Sequence, residues 1–169
     1  MTMNIPPEWE RRNAALWVAF DEYDPVDFRA EIKAMADELP EGHPMAFFEL
    51  ASANDSTGEG EAAVPLYQQA LAAGLTGELR RQAVIQMAST LRALGDAETS
   101  VELLTAERDA GSDHLDDAVT AFLGLALIDV GREREAAALA LGALARHLPR
   151  YNRSLTNYAK AALAEDEHA

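Results

Sequence analysis

The stretch LRALGDAETSVELL, Leu91 to Leu104, decides the fold. Both of its ends have helical composition, yet Gly95 stands in the middle, where a helix interior would lose about 1 kcal/mol relative to alanine. A glycine that ends one helix and reverses the chain is a different matter, because it adopts a left-handed conformation that alanine resists. The same arrangement recurs on both sides. Upstream lies FFELASANDSTGEGEAAVPLYQQALAAGL (47–75) and downstream AFLGLALIDVGREREAAALALGALARHLP (121–149). Gly58, Gly95 and Gly131 are separated by 37 and 36 residues. An apolar-periodic segment precedes each glycine. Another follows it and opens with acids (Glu59 and Glu61, Asp96 and Glu98, Glu133 and Glu135), which suit the positive end of a helix dipole. Each unit therefore reads as two antiparallel helices joined by a tight turn. One such hairpin cannot cover its own apolar face, whereas stacked neighbours can.

Small residues fit close helix packing. Ala51, Ala88 and Gly124 each fall seven residues before a turn glycine. After the turn, Ala63, Tyr67 and Ala70 share one helical face. Ala136, Ala140 and Ala143 hold the same places in the third unit, and Ser100, Leu104 and Glu107 in the second.

These residues resemble the tetratricopeptide repeat pattern: a large apolar residue, leucine, a small residue, the turn glycine, alanine, an aromatic and alanine. Phe47, Leu50, Ala51, Gly58, Ala63, Tyr67 and Ala70 carry it in the first unit. Leu123, Gly124, Leu127, Gly131, Ala136 and Ala143 carry it in the third. The likeness covers about 105 residues, from Pro44 to Pro149. It departs from the pattern at Leu75 and Ser112, where proline is expected, and in a repeat longer by two or three residues than the usual 34. The resemblance implies an all-α fold, an α-solenoid of about nine helices in antiparallel hairpins. The expected organisation is a single domain over 1–169. It comprises a degenerate N-terminal hairpin (7–40), repeats at 44–75, 77–112 and 113–149, and a C-terminal capping helix (152–164) that closes the array. The tail EDEHA (165–169) is expected to fray.

Composition agrees. Of 169 residues, 49% are hydrophobic, alanine is the commonest, and no run shows strand-like alternation. A formal net charge of −15 argues against nucleic acid, whose phosphates need a basic face, and against an anionic membrane surface. No apolar stretch is long enough to span a bilayer. The start, MTMNIPPEWERRNAALW, lacks the basic-then-apolar pattern of a secretory signal, so a cytoplasmic location is expected. The absence of cysteine rules out disulfides and thiolate metal sites. Arginine outnumbers lysine 12 to 2, a usage associated with bacterial genomes rich in G and C.

Catalytic chemistry is sparse. The GEG at 58–60 is not a phosphate loop, since no Gly-Lys-Ser/Thr follows. His43, His114, His147 and His168 have no metal-ligand spacing and read as loop or helix-end residues. Asp116 and Asp117 sit in an opening helical turn, where capping and the dipole explain them better than acid–base chemistry. Ser112, Asp113 and Thr76 are N-cap candidates. Neither an enzyme nor a metal or other cofactor is expected.

In the family that these repeats resemble, the first helix of each unit lines a concave groove that holds a partner's peptide. The resemblance therefore implies a protein or peptide partner. By register, the groove positions are Phe48, Ser52 and Asp55, then Gln82, Ile85, Gln86, Ser89 and Arg92, then Ala121 and Leu125, with Ile128 beyond. The carboxylate clamp of some relatives is missing, because Phe48, Ser52, Gln86, Ala118 and Phe122 occupy its places. Phe48, Ile85, Ala121 and Leu125 are expected to form an apolar strip with amides beside it. Either a partner segment or a helix of this chain could cover that strip. Charge is uneven as well: residues 1–61 carry −10, whereas 142–164 hold Arg146, Arg150, Arg153 and Lys160 with no acid. A homo-oligomer joined through its ends or groove is the alternative to the binding scaffold.

Overall fold

The computed structural model describes residues 5–166, so His168 and most of the EDEHA tail lie outside the described residues. Nine α-helices and one 3₁₀ turn occur among them, with no strand. The chain divides into two compact units, Met1–Thr90 and Leu91–Ala169. The first contains α1 (Pro7–Val18), a 3₁₀ turn (Phe20–Glu22), α2 (Pro25–Asp37), α3 (Pro44–Ser56), α4 (Gly60–Ala72) and most of α5 (Gly77–Ala93). The second contains the end of α5, then α6 (Ala97–Ala110), α7 (Asp116–Asp129), α8 (Glu133–Ala145) and α9 (Asn152–Asp166).

The three glycines build the same reversal. Gly58, Gly95 and Gly131 have φ of 85°, 96° and 77°. In each turn the residue after the glycine donates its N–H to a carbonyl five residues back. These bonds are Glu59 to Asn54 at 2.8 Å, Asp96 to Leu91 at 2.9 Å and Arg132 to Leu127 at 2.8 Å. They satisfy carbonyls that the helix end would leave bare. Gly74 repeats the device after α4, with φ 93° and the Leu75 N–H bonded to the Ala70 carbonyl at 3.1 Å. That bond accounts for the missing proline, which has no N–H to give.

Helix starts follow from side chains. Asp24 accepts from the Val26 N–H at 2.9 Å ahead of α2, and Asp96 from the Thr99 N–H at 3.1 Å ahead of α6. His43 caps α3, its Nδ1 accepting from the Met45 N–H at 3.2 Å, and partial burial lowers its pKa. Before α7, Asp113 accepts from the Leu115 N–H at 2.7 Å, while Asp116 takes the Asp113 N–H at 3.0 Å and the Ser112 hydroxyl at 2.5 Å.

In the first unit, Trp9 is buried and its indole N–H donates to the Met35 carbonyl at 2.7 Å, fixing α1 to α2. Phe28 and Ile32 are fully buried beneath Leu16, Trp17 and Phe20. The Phe28 ring meets the edges of Trp17 and Phe20 at 5.0 and 4.8 Å. Ala51, Ala63, Tyr67 and Ala70 are likewise fully buried where α3 and α4 pack.

In the second unit, α7 and α8 approach closely at Gly124, and α9 packs on α8 antiparallel. Three contacts fix its place: Arg134 Nε to the Ala162 carbonyl (3.4 Å), Gly142 against Ala159, and Asn152 Nδ2 to the Ala145 carbonyl (2.9 Å). The shared face expected for Ala136, Ala140 and Ala143 is only partly realised. Ala136 is buried, Ala143 half-buried and Ala140 exposed, because α9 docks on the other side of α8.

Candidate partner-binding surface

The residues expected to line a groove divide between the two units. In the first unit most are consumed by internal contacts. Phe48 and Ile85, expected on an open apolar strip, are buried, as is Ser52. The reason is local: α3 is apolar or small nearly all round (PMAFFELASA), so its neighbours cover it. The Phe48 ring lies 6.4 Å from that of Tyr67. Asp55 accepts from the Thr90 hydroxyl at 2.8 Å and the Tyr67 hydroxyl at 3.3 Å. Ser52 Oγ reaches Gln86 Oε1 at 3.5 Å, and Gln82 donates to Glu78 at 3.0 Å. Gln82, Gln86 and Ser89 remain half-buried.

Beside these residues is a polar cluster that periodicity did not reveal. Glu49 is buried in α3 and accepts from the Trp17 indole N–H at 2.7 Å, with a second hydrogen bond to Asn13. It joins α1 to α3. Burial pushes its carboxyl above the ordinary carboxylate range, more than the two hydrogen bonds pull it down. A folded-state pKa above the unfolded value means that the associated stability is complete below the unfolded pKa and is lost as pH rises through the folded one. Glu49→Gln, which keeps an acceptor for Trp17, is therefore expected to melt at a higher temperature than the parent at pH 7.5. That advantage should shrink towards pH 4. Thermal unfolding of the two proteins across that range checks this, and an equal difference at both ends would contradict it.

In the second unit Arg92 pairs with Asp129 at 2.8 Å. Beyond this pair, α7 presents Ala121, Leu125 and Ile128 to solvent on one face, with Leu125 43% and Ile128 49% exposed. Leu125 and Ile128 thus lie three residues apart at the C-terminal end of one helix, rimmed by the Arg92–Asp129 pair. Asp117 is held by His147 at 2.8 Å and by Arg146, which keep its carboxyl below the usual range. The contact ties α7 to the end of α8 and was not legible in the sequence. Among the described residues, no three His, Asp or Glu side chains converge as metal ligands, and no helix is long and apolar enough to cross a membrane.

Helix hairpins with a repeated glycine reversal and small residues at the crossings define a protein built of helical repeats. The family model for the tetratricopeptide repeat matches residues 44–162, and the chain belongs to that family. No curated protein and no solved structure matches it.

Proposed function

We propose that the chain is a non-catalytic scaffold that binds a segment of a partner protein. Membership of a repeat family whose modules serve protein–protein interaction supports the reading. The observation that carries it is the exposed apolar strip of α7, Ala121, Leu125 and Ile128, on the helix that register assigns to ligand contact. Two large aliphatic side chains one turn apart suit the anchor residues of an amphipathic helix or an extended peptide. Within the first unit, and taken separately from α7, the half-buried Gln82, Gln86 and Ser89 of α5 are candidates for hydrogen bonds to a partner's main chain. Phe48, Ser52 and Ile85, buried within the first unit, are not contact residues in this reading.

Leu125→Glu/Ile128→Glu is expected to weaken partner capture by on the order of 100-fold, since each change sets a charge where an apolar anchor would be desolvated. Both positions are exposed, so helicity and melting temperature should stay near the parent's. Affinity capture with the parent and the double variant, followed by titration of the purified partner, reads this. Undiminished affinity would remove α7 from the site. A glutamate at Ile85 is a poorer test, because it buries a charge and confounds binding with folding.

A further inference from the structure

The second helices of the three repeats, α4, α6 and α8, do not bury the same face. Nine residues after the turn glycine stand Tyr67, Leu104 and Ala140; the first two are fully buried and Ala140 is exposed. Six residues after it, Val64 is half-buried and Val101 buried, but Ala137 is exposed. Thirteen residues after it, Leu71 and Arg108 are half-buried, whereas Leu144 is 49% exposed. The opposite side is inverted. Ala138 and Ala145 are buried in α8, while their counterparts Pro65 and Ala72 in α4, and Glu102 and Asp109 in α6, face solvent. The closing helix α9 therefore covers the back of α8 and leaves exposed three positions that are buried or half-buried in α4 and α6, while Ala136 stays buried and Ala143 half-buried. The exposed side of α8 holds Ala137, Ala140, Leu141 and Leu144, with Glu133 at its start.

We propose that this face is where two copies of the chain meet, α8 against α8 in antiparallel two-fold contact. Its pattern is self-complementary. A two-fold axis between Ala140 and Leu141 sets Ala140 against the partner's Leu141 and Ala137 against the partner's Leu144, small against large throughout. An isologous interface requires this property, and it lets the backbones approach closely. Charge agrees. Glu133, at the start of the face, has no ion pair among the described residues. The axis carries it to the end of the partner's α8, where Arg150 follows the helix and Arg146 and His147 already hold Asp117. Antiparallel packing also opposes the two helix dipoles favourably. The face is one helix of 13 residues, about 20 Å long. The contact is thus small and the dimer dissociates on dilution. This surface is separate from the α7 strip, and the two stand or fall apart.

The chain has no cysteine, so single-cysteine variants test the register directly. Sedimentation of the parent from micromolar to submillimolar concentration should show a reversible monomer–dimer equilibrium. Leu144→Glu should weaken it by on the order of 100-fold while leaving melting unchanged. Under mild oxidant Ala140→Cys should form a disulfide-linked dimer, because the two copies of residue 140 flank the axis. Ala137→Cys should not, because its two copies lie about 10 Å apart along the helices. A monomer at every concentration would overturn the proposal. So would a dimer indifferent to Leu144→Glu, or one that crosslinks through residue 137 and not 140.

Discussion

Tyr67→Ala is expected to lower the stability of the first unit by about 3–5 kcal/mol, the range for removing a buried aromatic side chain. Tyr67 is fully buried, its ring packs on Phe48, and its hydroxyl donates to Asp55, which also holds Thr90. The substitution therefore opens a cavity and unpairs one carboxylate contact. Tyr67→Phe keeps the ring and loses only the hydrogen bond, so its cost should be about 1 kcal/mol. Burial and the neighbouring Asp55 hold the Tyr67 hydroxyl well above the usual phenol range. Its raised pKa means that this stability is complete below the unfolded-state value and is lost as pH rises through the folded one. One of the four tyrosines should accordingly ionise only on alkaline unfolding. Chemical denaturation followed by circular dichroism measures both variants. A Tyr67→Ala protein within 1 kcal/mol of the parent would mean that α4 does not carry the packing assigned to it.

Two glycines should respond to alanine with opposite signs. At Gly95, φ is 96° and no atom lies within 4 Å of where a Cβ would stand, so the cost is backbone strain alone, about 1–2 kcal/mol. Gly124 lies inside α7, with the nearest atom, the Ala136 carbonyl oxygen, at an ordinary contact distance of 3.8 Å. Alanine fits there and should stabilise by about 0.5–1 kcal/mol through helix propensity. Ala51 and Ala88 already fill the matching places in the other repeats, both fully buried. Equal effects at the two positions would contradict the distinction between a turn glycine and a packing glycine.

The hairpins were legible because their signals are local. A glycine at a 36–37 residue period, acids after it and a small residue seven places before it specify a turn whatever surrounds them, and Gly58, Gly95 and Gly131 form it alike. Burial on the packing faces was legible where the residue is large, as at Tyr67 and Leu104. It failed at Ala140, because alanine is compatible with either face and only the position of α9 decides which one is covered. The same ambiguity hid the exposed side of α8, whose sequence EREAAALALGALA is apolar nearly all round and so has no side marked as outer. For the candidate surface, register placed Leu125 and Ile128 on the open side of α7, but it could not foresee that α3 would be enclosed and take Phe48 inside. The Glu49, Trp17 and Asn13 cluster joins residues 32 or more apart, and no periodicity encodes such a pairing.

Site-specific photocrosslinking tests the central claim most directly. A photoreactive phenylalanine is placed at 125 or 128 on α7, and at 65 or 102 on the solvent faces of α4 and α6 as controls. The four proteins are irradiated in the cell that makes the chain. The α7 positions should each give an adduct with the same second protein, and the controls should give none. If 125 and 128 crosslink no more than 65 and 102, α7 is not the partner surface.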